Sequence, residues 1–223
     1  MNAISQNVRQ SSVPPRLTFA RGFTLTEIAI VLFIVALLLG SMMLPIAAQV
    51  DTRDNTDAQK MMGEIREALI GYAASRAGKP YLPCPDADGD GVEEPRVANV
   101  CPNDEGDVPW NTLGLGRNDP WNRPYHYRVT PAFSNSTGFL LTSAGTLRLC
   151  TDNACGTTVA TAVPAAILTK GKNGAGANAN EVENSDADND FVSKEPDPAY
   201  DYLVIWLSPN ILFNRMVAAG RLP

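Results

Sequence analysis

The sequence predicts an α+β fold: one long N-terminal helix, with a membrane-spanning first half, packed on a small antiparallel β-sheet. Three observations predict it. From Phe23 to Ala48 the chain is apolar, with Glu27 its only ionisable side chain. From Thr56 to Arg76 the apolar residues recur at helical spacing. From Tyr125 onward, short apolar or alternating stretches are separated by turn residues, which is the pattern of strands. The domains read as residues 1–22, a leader peptide; 23–48, a transmembrane or filament-core helix; and 49–223, a globular domain.

The leader is polar and basic. It holds Arg9, Arg16 and Arg21 and no acid, so its removal takes the net charge from −6 to −9. An acidic remainder with scattered basic residues argues against nucleic-acid contact. The three arginines before the apolar run, and Asp51, Asp54 and Asp57 after it, orient the chain. By the positive-inside rule the leader is cytoplasmic and everything after Ala48 lies on the other side of the membrane, which for a bacterial chain is across the inner membrane, in the periplasm.

The apolar run is long for a signal peptide. At 1.5 Å per residue its 26 or so residues exceed the roughly 30 Å hydrocarbon core of a bilayer. Glu27 is costly there, about 2.5–3.5 kcal/mol at the centre of a span and less near an end. It either reaches the headgroups from the first turn or waits for a cation. Cutting between Gly22 and Phe23 would create that cation, an α-amine four residues away. A neighbouring copy shifted along its axis could bring it to the carboxylate, each offsetting the other's desolvation.

Arg21-Gly22-Phe23-Thr24-Leu25-Thr26-Glu27-Ile28-Ala29-Ile30-Val31 resembles the cleavage and methylation signal of type IV prepilins and type II secretion pseudopilins. The resemblance implies a pilin-like fold, cleavage after Gly22 by a prepilin peptidase and methylation of the Phe23 amine by the same enzyme. It implies that Glu27 sets the register of a helical filament built with other pilins or pseudopilins. Pro45 resembles the helix-bending proline of these subunits.

The second half of the long helix is amphipathic. Met61, Ile65, Leu69 and Tyr72 make its stripe, with Lys60, Glu64, Arg66 and Glu67 on other faces, and a loosening is expected across Asp51–Asn55. Gly78 and Pro80 end it. Residues 79–124 are irregular and rich in Pro and Gly, in the place of the family's variable loop. Strands are expected at Tyr125–Thr130, Gly138–Thr142, Thr146–Cys150, Ala162–Thr169 and Tyr202–Leu207, with hairpins at Pro131–Thr137 and Ser143–Gly145. Lys170–Pro198 reads as a loop. Ser208 and Pro209 start a short last helix bearing Ile211, Leu212, Met216 and Val217 on one side.

The four cysteines all fall in the domain expected in an oxidising compartment, so disulfides are expected. Three connectivities are open, and the local pairs Cys84–Cys101 and Cys150–Cys155 are favoured over the others. Zinc is the alternative, without the tight paired knuckles that such sites use.

Two acidic stretches are candidate calcium sites. Asp86-Ala87-Asp88-Gly89-Asp90-Gly91 opens like an EF-hand loop, with carboxylates at alternate positions and a glycine at the sixth. Its twelfth position is Val97 and not Glu, so Glu93 or Glu94 would have to supply late oxygens. Asp186-Ala187-Asp188-Asn189-Asp190 is the second. With Gly171-Lys172-Asn173-Gly174 before it and Tyr202-Leu203-Val204-Ile205-Trp206 after it, this region is similar in layout to the calcium loop and closing strand of major type II pseudopilins. Asp119-Pro120-Trp121-Asn122-Arg123-Pro124-Tyr125 resembles a turn of the same family, with Asn122 and Arg123 in place of Gly-x.

An enzyme is not expected. The one histidine, His126, sits in a strand signal, and no nucleophile elbow, phosphate loop or paired metal-ligand motif is present. The expected function is a structural subunit of a pilus-like or secretion filament. The alternative is a single-pass membrane protein whose domain binds a ligand or surface without polymerising.

Overall fold

The computed structural model describes residues 22–174, 176 and 178–223, and of residues 41–48 no side chain. Residues 1–21 of the expected leader lie outside that description, as does the side chain of the expected helix-bending Pro45. The chain divides into two compact units, Met1–Ala48 and Gln49–Pro223.

Helix α1 runs over Leu25–Ser75. It starts at a capping box. Thr24 Oγ1 accepts from the Glu27 backbone N–H at 3.2 Å, while the Thr24 N–H donates to Glu27 Oε2 at 2.8 Å. A Thr at the cap and a Glu three residues on thus satisfy two otherwise orphaned donors. Its apolar side chains are described over about 16 residues, Leu25 to Gly40, or roughly 24 Å of helix. After Glu27 the next charged residue is Asp51. Among the described residues, no helix is long and apolar enough to cross a membrane, which corrects the expected membrane-spanning first half. Nor does α1 loosen across Asp51–Asn55, where it continues as helix.

In the second unit, residues 49–75 of α1 bury Ala58, Met62, Ile65, Leu69, Ile70 and Ala73 in the main core. The stripe is one residue off at its start, since Met62 is buried and Met61 only partly so. Then come β1 (Glu105–Asp107), α2 (Trp110–Leu113), β2 (His126–Val129), α3 (Pro131–Ser134), β3 (Leu147–Cys150) and β4 (Thr158–Val163). They are followed by β5 (Ala165–Thr169), α4 (Ala179–Glu183), β6 (Asp190–Val192), β7 (Leu203–Leu207) and α5 (Pro209–Ala218).

These strands make two sheets, ordered β1-β2-β5-β7 and β4-β3-β6. The first is wholly antiparallel; in the second, β3 and β6 run parallel. The expected single antiparallel sheet is therefore also corrected. Pro164 is the physical reason for part of it. Lacking an N–H, it breaks one apolar run into β4 and β5, which belong to different sheets. The hairpin expected at Pro131–Thr137 is instead α3, with Pro131 in its first turn. Gly138–Thr142 forms no strand. Phe139 enters the core while Leu140 and Leu141 stay exposed.

Strand β5 is buried along its whole length. Ala165 and Ile167 face the core shared with α1, and Ala166 and Leu168 face a second core with Leu147, Leu149, Phe191, Tyr200 and Tyr202. Alternation of side chains across one strand thus joins helix, sheet and second sheet into three layers. Helix α5 adds Leu212 and Met216 to the first core, whereas Ile211 and Val217 remain exposed.

Candidate functional site

Three places carry the residues singled out by sequence. At the N-terminus, Gly22 and Phe23 precede α1 in an exposed, non-helical segment, with Phe23 83% exposed. Glu27 lies four residues on. Its carboxylate accepts from both the backbone N–H and the hydroxyl of Thr24, the latter at 2.9 Å. Beyond it, every large apolar side chain from Ile28 to Leu39 is exposed, in all directions around the helix. Thr24 was legible as half of a capping pair from the Thr-x-x-Glu spacing before an apolar run, a signal the reading for Glu27 did not use.

The second place is the loop at Asp86. Cys84 and Cys101 are joined, as are Cys150 and Cys155, and no cysteine is free. The first bond ties the ends of the loop together. Asp86 is buried, and its two carboxylate oxygens accept from the Gly89 and Gly91 backbone N–H groups, each at 2.7 Å. Gly91 has φ +85° and lies against the Trp110 indole, so neither the backbone conformation nor the space admits a side chain. Asp86, Asp88 and Asp90 do come together, with one carboxylate oxygen of each within 4.8 Å of the others. The late oxygens point elsewhere. Glu93 bonds the Tyr72 hydroxyl, the Cys84 N–H at 3.2 Å and Arg96 at 2.9 Å. Glu94 accepts from the Ala87 N–H at 3.2 Å.

The third place is the loop between α4 and β6. Glu183, Asp188 and Asp190 converge there, and Asp186 is outside that group. Sequence reading missed Glu183, which comes in from the end of α4. Asp190 lies opposite Arg148 across the parallel β3–β6 pair. Arg148 donates to both Asp190 oxygens, from Nε at 2.6 Å and from its terminal nitrogen. The buried Arg128 of β2 reaches the same loop, donating to the Ala187 carbonyl at 3.2 Å and to Asn189 Oδ1 at 3.4 Å. It also pairs with Glu105, which binds His126 Nε2 at 2.7 Å. Burial works to raise the Glu105 carboxyl, but His126 and then Arg128 outweigh it and hold the group below its ordinary value. Burial, then the charges of Asp186, Asp188 and Asp190, push Glu183 upward.

The family-like turns pack together. Asp119 accepts from the Trp121 and Arg123 N–H groups at 3.0 and 2.9 Å, and from the Thr169 hydroxyl. Arg123 donates to the carbonyls of Gly171 and Lys172. Arg123 thus clamps the Gly171–Gly174 turn, against whose Gly174 its guanidinium is packed. A cleft of about 720 Å³ opens beside these turns, lined by Asp51, Trp121, Lys172, Pro196, Pro198 and Asp201 among others.

No family model, no curated protein and no solved structure matches this chain.

Proposed function

We propose that this chain is a structural subunit of a type IV pilus-like or type II secretion filament, made as a precursor, cut after Gly22 and methylated on the Phe23 amine. The observation that carries the reading is the run of large apolar side chains from Phe23 to Leu39, exposed around the whole helix directly after the cleavage-like signal. A helix apolar all round must be buried by something. Here the cover is the same helix of neighbouring subunits, pilins or pseudopilins of one or several kinds, packed into a filament core. Glu27 sets their register by meeting the Phe23 amine of a neighbour. The prepilin peptidase is the maturing partner. Residues 49–223 form the head, on the periplasmic side, and the two disulfides support that placement in an oxidising compartment.

The test is the mature N-terminus, measured by mass spectrometry in cells with and without a prepilin peptidase. The expected result is N-methyl-Phe23 with the enzyme and the intact precursor without it. A Met1 terminus in cells that carry the enzyme would overturn the reading in favour of an anchored protein that does not polymerise. Glu27→Ala is expected to leave the precursor stable and processed but absent from sheared filaments.

A further inference from the structure

We infer that the acidic loop of residues 183–190 is held by the protein's own arginines, Arg148 above all, in the position where an acidic loop of this composition would otherwise take a divalent cation.

The loop concentrates negative charge. Glu183, Asp186, Asp188 and Asp190 fall within eight residues, and Glu105 of β1 lies beside them through Arg128. Such a group coheres only if cations offset its repulsion. A calcium ion would do so with six to eight oxygens at 2.3–2.6 Å. In this structure part of the oxygen set, that of Asp190 above all, is engaged otherwise, although one oxygen each of Glu183, Asp188 and Asp190 still lie close together. Both Asp190 oxygens face the Arg148 guanidinium in the bidentate fork that suits a carboxylate. The Ala187 carbonyl and Asn189 Oδ1, two neutral ligands the loop could offer, accept from Arg128. Asp188 Oδ1 accepts from the Asp190 N–H at 2.7 Å. The Arg148 backbone N–H donates to the Asn189 carbonyl at 2.8 Å, fixing the loop end to β3.

The two guanidinium groups come from adjacent layers. Arg128 rises from β2 of the first sheet and is almost fully buried; Arg148 comes from β3 of the second and is half exposed. Side chains from two sheets therefore converge on one loop, and a planar fork replaces a spherical ion. An arginine is covalently part of the chain, so it is at the site at any calcium concentration. The consequence is a head whose loop keeps its shape in calcium-poor surroundings but responds to ionic strength, because the Arg148–Asp190 pair lies partly in water.

The test is hydrogen–deuterium exchange of the full chain, read on the peptide covering residues 183–192. In the wild type, exchange is expected to be the same in excess calcium and in chelator. Arg148→Ala is expected to speed exchange of that peptide about tenfold while peptides from α1 and β5 keep their protection. Asp190→Asn, which keeps the shape but removes the charge, is expected to do the same, and serves if the first variant fails to fold. Faster exchange of the wild-type loop in chelator would overturn the inference by showing that calcium holds it. So would unchanged exchange in both variants.

Discussion

Helix α1 contains two regions with opposite relations to their surroundings. Between residues 25 and 40 its side chains are all exposed; between 58 and 73 a stripe of six is buried against the sheet. The difference is written in periodicity. The second region repeats its apolar residues on one face and its charges elsewhere, so its own chain can cover it. The first is apolar on every face and exposed on all of them. One region is covered within its own unit and the other is left exposed.

That contrast can be broken at either end. The largest expected effect is in the buried stripe: Leu69→Ala should cost about 2–5 kcal/mol of stability by cavity formation, read from denaturant unfolding. Leu32→Ala, in the exposed region, should leave that unfolding curve unmoved and reduce recovery in filaments. Equal losses from both would erase the distinction. Next in size, opening the Cys84–Cys101 bond by Cys84→Ser with Cys101→Ser should cost about 2–4 kcal/mol, since it releases a constrained loop. A smaller loss, about 1–3 kcal/mol, is expected for Asp86→Ala, which leaves the Gly89 and Gly91 amides without their acceptor.

A fourth outcome concerns acid. Glu105 is held below the ordinary glutamate value in the folded head. A depressed carboxyl contributes stability that is fully present above its unfolded pKa, about 4.3, and is lost as pH falls through its lower folded value. Stability should therefore decline below about pH 4, and Glu105→Gln should flatten that decline; an identical acid limb in the variant would remove Glu105 from the account. The smallest effect is expected at the water-exposed Lys172–Asp51 pair, where Lys172→Ala should leave the thermal midpoint unchanged.

How much of this was legible in the sequence differs by the range of the interaction. The helix stripe, the short strands at Tyr125 and Tyr202 and the closing helix at Pro209 follow from local period and punctuation. The local cysteine pairs agree with the favoured connectivity for the same reason. The two-sheet arrangement was not legible, because β3 pairs with β6 about forty residues later and no turn signal announces a parallel partner. Nor was the Arg148–Asp190 fork, with 42 residues between its members. Seen as a string, Asp186 to Asp190 reads as a ligand set; folded, one of its carboxylates, Asp190, already faces an arginine. The cap at Thr24, by contrast, is legible locally, as a Thr-x-x-Glu spacing before an apolar run.

The burial of β5 between two layers has a consequence in time. Its hydrogen-bonding partners are β2, about forty residues before it, and β7, about forty after it, with Ala165 opposite Leu207. Strand β5 is thus flanked on both sides only once the chain has been made as far as Leu207. Loop closures of that span are slow, and the apolar edge of β5 stays open while they occur. A truncation before Leu203, which removes β7, should yield not a shortened domain but an aggregating one.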